Sequence, residues 1–274
     1  MSAARPRWYW TRRGTDRLGR TFQVLALLPA AKSSHELTAV LKGNERWRVE
    51  GLELRSVLFR RFLSTLSLDG LLGEIDTWAW YPSHDGKPTH RRVSDYLDQV
   101  SRLVRDAHAP GLLVRHRAAP KSAVIRCQRY RVYFSTQVRT VRLDPVYRYR
   151  IEGKHVLVVD DFCTEGYSFE WARNLLYAGG ARTVTCACFG RYHDEYAVHT
   201  PKPGRIIDPW TPCALRDADF HRATVRGVID DGAMAASPRL LRRICLVAAS
   251  GTASGTASGT VSGTVSGTAR PPSA

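Results

Sequence analysis

Two adjacent carboxylates, Asp160 and Asp161, follow a run of branched apolar residues and precede a short turn that contains hydroxyls and a glycine. Carboxylates at this position can accept hydrogen bonds from sugar hydroxyls, or hold Mg²⁺ directly or through water. They repel a phosphate, whereas the hydroxyls of Thr164 and Ser168 and the flexible backbone at Gly166 suit one. The pattern therefore predicts a site for a sugar with free hydroxyls beside a phosphate, as in phosphorylated ribose.

The surrounding residues predict a strand, a turn, a helix and a second strand. The apolar run 155–159 is typical of a strand buried on both faces of a parallel sheet, and residues 162–167 form the turn. A helical period begins at Ser168 and ends at Gly179-Gly180, and residues 182–189 predict the next strand. Ligands of open α/β sheets bind at the carboxyl ends of strands, and a helix N-terminus favours phosphate. Both rules place the site between Asp160 and Ser168.

The stretch VLVVDDFCTEGYS, from Val156 to Ser168, resembles the 13-residue phosphoribosyl pyrophosphate (PRPP) signature of type I phosphoribosyltransferases. In that family the acid pair contacts the ribose 2′- and 3′-hydroxyls, and the loop holds the 5′-phosphate. The resemblance implies that Asp160 and Asp161 are catalytic, bind the ribose and hold Mg²⁺. It implies ligand binding by the loop residues Phe162, Cys163, Thr164, Glu165, Gly166, Tyr167 and Ser168.

Glu165 departs from the family pattern, since many members have a small residue there. A carboxylate about 6 Å from a phosphate costs about 3 kcal/mol per charge pair at an effective dielectric constant near 20. We therefore expect the Glu165 side chain to point away from a bound phosphate. Cys163 lies within the signature, and we expect its thiol to be accessible to alkylation.

The order of the other segments, roughly from Leu37 to Arg191, is similar to the competence-associated (ComF-like) branch of the family. The resemblance implies that residues 82–87 are the pyrophosphate loop and that a mobile loop over the site lies in the basic stretch that follows. The implied pyrophosphate-loop ligands are Pro82, Ser83, His84 and Lys87. Lys121 and Arg126 are the implied catalytic cations.

The basic stretch from Leu112 to Leu143 contains eight Arg or Lys residues and no Asp or Glu. Its members are Arg115, Arg117, Lys121, Arg126, Arg129, Arg131, Arg139 and Arg142. Such a stretch can neutralise a departing pyrophosphate or contact a nucleic-acid backbone, and it can also be a solvated basic face. These three interpretations stay open at the level of sequence.

Composition limits the class of protein. The chain has 274 residues and a net charge of +16, which favours a polyanionic partner, although an arginine-rich codon bias also raises the charge. The six cysteines include no C-x-x-C pair, so neither a zinc site nor a disulfide framework is indicated. We interpret residues 22–28, which follow Arg12-Arg13, as a strand rather than as part of an export signal, and no apolar run is long enough to span a membrane. The sequence therefore favours a cytoplasmic protein without a membrane partner.

The predicted fold is α/β, with a central mostly parallel sheet flanked by helices, as in type I phosphoribosyltransferases. Residues 1–249 form one domain, with N-terminal strand and helices in 1–70 and the core in 75–191. Helices are expected from Leu37, over 52–66 and from Val93. Residues 250–274 form a tail with five S-G-T-x repeats, which we expect to be disordered.

Two functional hypotheses follow. The first is a Mg²⁺-dependent phosphoribosyltransferase in which a nitrogen acceptor displaces pyrophosphate from PRPP. The second is a non-catalytic PRPP or nucleotide sensor, or a nucleic-acid-associated factor on the same fold. The acceptor base, the general base and the oligomeric state, including a homodimer, are left open by the sequence.

Overall fold

The structure, a computed structural model, describes residues 7–29, 48–49, 52–85, 109–120, 133–230 and 233. Its strands are β1 (Trp10–Thr15), β2 (Thr21–Pro29), β3 (Arg48–Val49), β4 (Leu52–Glu53), β5 (Thr77–Trp80), β6 (Leu113–Arg115), β7 (Val141–Leu143), β8 (His155–Cys163), β9 (Thr183–Arg191), β10 (Glu195–Pro201), β11 (Phe220–Arg226) and β12 (Val228–Ile229). Its α-helices are α1 (Leu54–Leu68), α2 (Leu71–Glu74), α3 (Phe134–Val138) and α4 (Tyr167–Ala178). Two short 3₁₀ helices cover Pro145–Tyr147 and Asp217–Asp219.

A six-stranded sheet with the order β12-β1-β2-β9-β8-β5 forms the centre of the fold. Strands β2, β9, β8 and β5 run parallel, whereas β1 pairs antiparallel with both β2 and β12. The α/β class with flanking helices is therefore confirmed, and the sheet is mixed, with four parallel strands in succession. The remaining strands pair as β3-β4, β6-β7 and β10-β11 outside this sheet.

The antiparallel edge arises from the tight turn between β1 and β2. The Asp16 carboxylate accepts hydrogen bonds from the backbone of Leu18 and Arg20 at 2.9 and 3.1 Å, and Gly19 adopts a φ of 73°. So short a connection between two paired strands forces them to run antiparallel, because parallel strands require a long crossover. The prediction of a strand over residues 22–28 is confirmed, with β2 slightly longer.

Two hydrophobic layers cover the sheet, one on each face. One contains Trp171 and Leu175 of α4 together with Val156 and Val158 of β8. The other contains Leu58 and Phe62 of α1 together with Leu157 and Val159. Strand β8 is thus buried on both faces, as its unbroken apolar run predicts.

The predicted strand-turn-helix unit is present, with shifted boundaries. Strand β8 continues through the acid pair to Cys163, because its parallel pairing with β9 extends to Cys163 and Arg191. The turn is consequently shorter than residues 162–167, and α4 begins at Tyr167 rather than Ser168. The helix ends before Gly179, as predicted, and Gly180 adopts a φ of 91°.

Several predictions fall outside the described residues. These are the helices from Leu37 and from Val93, the residues Lys87, Lys121 and Arg126, and the tail 250–274. Strand β6, at the start of the basic stretch, pairs with β7 and not with the central sheet. None of the helices in the described parts of the chain combines the length and apolar character needed to cross a membrane.

Candidate functional site

The acid pair lies where β8 leaves the core. Both carboxylates are half-buried; Asp160 accepts a hydrogen bond from the Asp161 N–H at 2.8 Å, and Asp161 accepts one from the Phe162 N–H at 2.7 Å. Up to Val159 the side chains alternate between the two layers, but Phe162 packs on the α1 layer and Cys163 lies in the α4 layer. The alternation therefore shifts by one residue across the acid pair, and neither carboxylate side chain lies in an apolar layer.

The electrostatics of the pair favour a proton or a cation. Burial, followed by the negative charge of Asp161, raises the pKa of the Asp160 carboxyl well above its ordinary value. A bound cation would offset the repulsion between the two adjacent carboxylates. Hydroxyl groups of a sugar can also donate to them.

The turn after the acid pair is held in place by β10. Gly166 precedes α4 with a φ of 90°, a left-handed conformation that favours glycine. The Ala197 N–H donates to the Glu165 carbonyl at 3.0 Å, and the Tyr196 ring packs so closely on Gly166 that no Cβ fits there. Strand β10 thus supports the turn from outside the central sheet, a contribution that the sequence interpretation missed.

Helix α4 has a glutamate in its first turn, which would oppose an anion unless it were neutralised. Glu170 is fully buried, and the Arg173 guanidinium binds it through two hydrogen bonds at 3.0 and 2.7 Å. It also accepts hydrogen bonds from the Tyr196 hydroxyl and the His199 N–H, both at 2.7 Å. Burial opposes the Arg173 cation, but Glu170 and Asp16 outweigh this and raise the pKa of Arg173. The helix N-terminus therefore keeps its preference for anions.

The candidate pyrophosphate loop meets the acid pair at the same edge of the sheet. Strand β5 is the parallel neighbour of β8, and the Tyr81 N–H donates to the Val159 carbonyl at 2.9 Å. Pro82, Ser83 and His84 follow directly and are half-buried. The Ala119 N–H donates to the His84 carbonyl at 2.8 Å, and the Ser83 hydroxyl bonds the Asp85 carboxylate. The structure therefore brings these three predicted residues to the edge that carries Asp160 and Asp161.

The basic stretch is not uniformly a solvated face. Arg115 is only 7% exposed, and its guanidinium donates to the Ser83 carbonyl at 2.6 Å and to Gln137 Oε1 at 2.9 Å. Arg142 donates to the Leu143 carbonyl at 2.9 Å. Sequence alone did not separate Arg115 from its neighbours, although its position at the end of an apolar run, LLVR, is a signal that it is buried.

Cys163 does not offer an accessible thiol, which corrects the expectation of alkylation. It is 3% exposed, and Arg191 Nη1 donates to its Sγ at 2.7 Å. Burial raises the pKa of this thiol, but hydrogen bonding to Cys188 and the charge of Arg191 outweigh burial and hold the pKa below its ordinary value. The side chain of Cys163 belongs to the core, so only its backbone is placed to contribute to the loop.

The donor set is compatible with Mg²⁺ that is shared with a ligand. Within the described ranges, no group of three or more His, Cys, Asp and Glu side chains could hold a metal ion. Mg²⁺ commonly uses one or two carboxylates together with the phosphate oxygens of a substrate, and Asp160 and Asp161 would be the protein's share of such a site.

A separate cavity of about 590 Å³ lies at the opposite, amino-terminal edge of the parallel strands. Its lining includes His155, Thr183 and Arg182. His155 Nε2 lies 2.9 Å from the Thr185 hydroxyl, and burial lowers the pKa of this histidine. Because ligands of such sheets bind at the carboxyl ends of strands, this cavity does not belong to the candidate site.

Comparisons with known proteins do not extend this picture. No model of a protein family matches the sequence, and no curated protein matches it.

Proposed function

We propose that this protein binds Mg²⁺ and PRPP and transfers the phosphoribosyl group to a nitrogen acceptor, with release of pyrophosphate. One observation carries the proposal. Asp160 and Asp161 meet the left-handed turn at Gly166, the N-terminus of α4 and the loop after β5 at one edge of the sheet. This edge offers acceptors for ribose hydroxyls and donors for phosphate side by side.

Each part of the edge has a separate task. Asp160 and Asp161 accept hydrogen bonds from the ribose 2′- and 3′-hydroxyls. Residues 164–168 bind the 5′-phosphate through backbone N–H groups and hydroxyls. The loop from Pro82 binds the pyrophosphate group, and cations of the basic stretch, with Lys121 and Arg126 as candidates, neutralise it.

Catalysis on this account comes from positioning and electrostatics. The transition state at C1 of the ribose resembles an oxocarbenium ion, so the protein must hold the sugar while pyrophosphate departs and the nitrogen approaches. Mg²⁺, when bound, supplies positive charge for the departing pyrophosphate. The carboxylates of the acid pair keep the ribose oriented by its two hydroxyls.

A non-catalytic PRPP or nucleotide sensor, or a nucleic-acid-associated factor, is the second candidate. Glu165 within the phosphate loop and the net charge of +16 favour it. A glutamate weakens the match to a phosphate loop, and a strongly positive net charge suits a polyanionic partner.

Turnover separates the two candidates. Incubation with Mg²⁺, PRPP and a panel of nitrogen bases should release pyrophosphate and form one nucleotide if the protein is a transferase. PRPP binding without turnover for any base supports the sensor. Binding to DNA that falls steeply as salt rises, without PRPP binding, supports the nucleic-acid factor.

A further inference from the structure

A buried network of hydrogen bonds ties the loop after β5 in the candidate site to helix α3. Arg115 donates from Nε to the Ser83 carbonyl at 2.6 Å and from Nη2 to Gln137 Oε1 at 2.9 Å. The Tyr81 hydroxyl donates to the same Gln137 oxygen at 2.9 Å. Helix α3 in turn packs against α4, so buried side chains connect the loop after β5 to α4 through α3.

The bonding capacity of this network leaves little freedom. An amide oxygen accepts two hydrogen bonds, and Gln137 Oε1 uses both on Arg115 and Tyr81. The Tyr81 hydroxyl donates its single proton to Gln137. Each member therefore has one arrangement that satisfies its neighbours, and that arrangement fixes the position of Ser83 relative to α3.

Arg115 is the member that is costly to bury. It is 7% exposed, and among the described residues it forms no ion pair with a carboxylate. Its partners are a carbonyl, an amide and the hydroxyl of Thr140. Burial of a guanidinium without a counter-ion is expensive, and an apolar side chain would fill the same space at lower cost. The guanidinium geometry, which reaches three partners at once, is what an apolar residue cannot supply.

We propose that Arg115 is a positioning residue that holds the loop after β5 at the distance from the N-terminus of α4 that a pyrophosphorylated ribose 5-phosphate requires. This inference rests on the proposed function. Arg115 acts on the ligand through Ser83 and not by contact, and it governs the pyrophosphate half of the ligand rather than the 5′-phosphate half. It is therefore a determinant of selectivity for PRPP over ribose 5-phosphate.

The test compares two ligands that differ only in the pyrophosphate at C1. Calorimetric titration with Mg²⁺ measures the affinity of wild-type protein and of Arg115→Met for PRPP and for ribose 5-phosphate. We expect the variant to bind PRPP about tenfold to a hundredfold more weakly, while affinity for ribose 5-phosphate changes less than about threefold. Equal losses for both ligands, or no loss for PRPP, would overturn the inference.

Thr140→Val is the matched control, because it removes a buried hydrogen bond of Arg115 without touching the Ser83 contact. It should leave the ratio of the two affinities unchanged. Arg115→Lys keeps the charge but cannot reach both Ser83 and Gln137, so it should show the same loss of affinity for PRPP. It serves as the second variant in case Arg115→Met does not fold.

Hydrogen exchange gives a readout that is independent of any ligand. The Ala119 amide, which donates to the His84 carbonyl, should exchange faster in the Arg115 variants, with β8 still protected. If wild-type protein binds neither ligand, the proposed function fails. In that case the hydrogen-exchange rate of the Ala119 amide still tests whether Arg115 holds the loop. An unchanged rate in the Arg115 variants would refute that role.

Discussion

The ring of Tyr196 occupies the space that a side chain at position 166 would need. A Cβ on Gly166 would lie 2.2 Å from Tyr196 Cε2, and the φ of 90° is itself strained for any other residue. Gly166→Ala should therefore destabilise the protein by at least the roughly 1–2 kcal/mol that a left-handed alanine costs, plus the cost of moving the ring. Urea denaturation measures the loss.

Gly153→Ala provides the control for that experiment. Gly153 also has a positive φ, of 67°, but nothing lies within 4 Å of a Cβ there. This variant carries the backbone strain alone, so it should be less destabilised than Gly166→Ala. Equal losses for the two variants would show that Tyr196 does not constrain the turn.

The buried ion pair between Glu170 and Arg173 should matter more than pairs at the surface. Glu170→Gln leaves the almost fully buried Arg173 without its bidentate partner, so we expect a loss of about 3–5 kcal/mol in the free energy of unfolding. Glu195→Gln removes an exposed pair with Arg226 and should cost at most about 1 kcal/mol. Chemical denaturation of both variants checks the contrast, and a loss below 1 kcal/mol for Glu170→Gln would contradict it.

His199 should make the protein less stable in mild acid. Burial lowers the pKa of His199, against the charges of Glu170 and Asp217 that raise it, while Arg222 lowers it further. The unfolded chain therefore binds a proton first, and stability is lost as the pH falls below about 6.5, the ordinary histidine value. His199→Asn lacks this titration.

The measurement is the free energy of unfolding of both proteins between about pH 7 and pH 5. The wild-type protein should lose stability relative to His199→Asn as the pH falls, at no more than about 1.4 kcal/mol per pH unit. Parallel curves would show that His199 keeps its ordinary pKa. The other histidines are common to both proteins and cancel in the difference.

The sequence was sufficient for elements that depend on local patterns. The apolar run 155–159, Gly166 and Gly179-Gly180 predicted a buried strand, a turn and a helix end, and the structure has all three. These predictions need only the period of a strand and the period of a helix. The loop from Pro82 was assigned to the same site by the family resemblance alone, and the structure brings it to the edge of the acid pair because β5 and β8 are parallel neighbours.

The sequence did not reveal contacts made by distant segments. The extension of β8 to Cys163 depends on pairing with β9, and the burial of Cys163 depends on Arg191. Arg115 looked like one of several surface cations until its partners Ser83 and Gln137 were known. Such partners lie tens of residues away, and no local pattern specifies them.

The most direct test of the proposed function is the affinity for PRPP when the acid pair is neutralised. Asp160→Asn and Asp161→Asn remove charge at an edge that faces solvent in part, and the amides match the carboxylates in size, so the fold should persist. Calorimetric titration in the presence of Mg²⁺ should show each variant binding PRPP about tenfold to more than a hundredfold more weakly, since a hydrogen bond to a charged group contributes about 1.5–3 kcal/mol. The double variant should bind inorganic phosphate at residues 164–168 at least as well as the wild-type protein, because the repulsion is gone. If the double variant binds PRPP with wild-type affinity, the acid pair is only a solvated strand end and the proposed function is wrong.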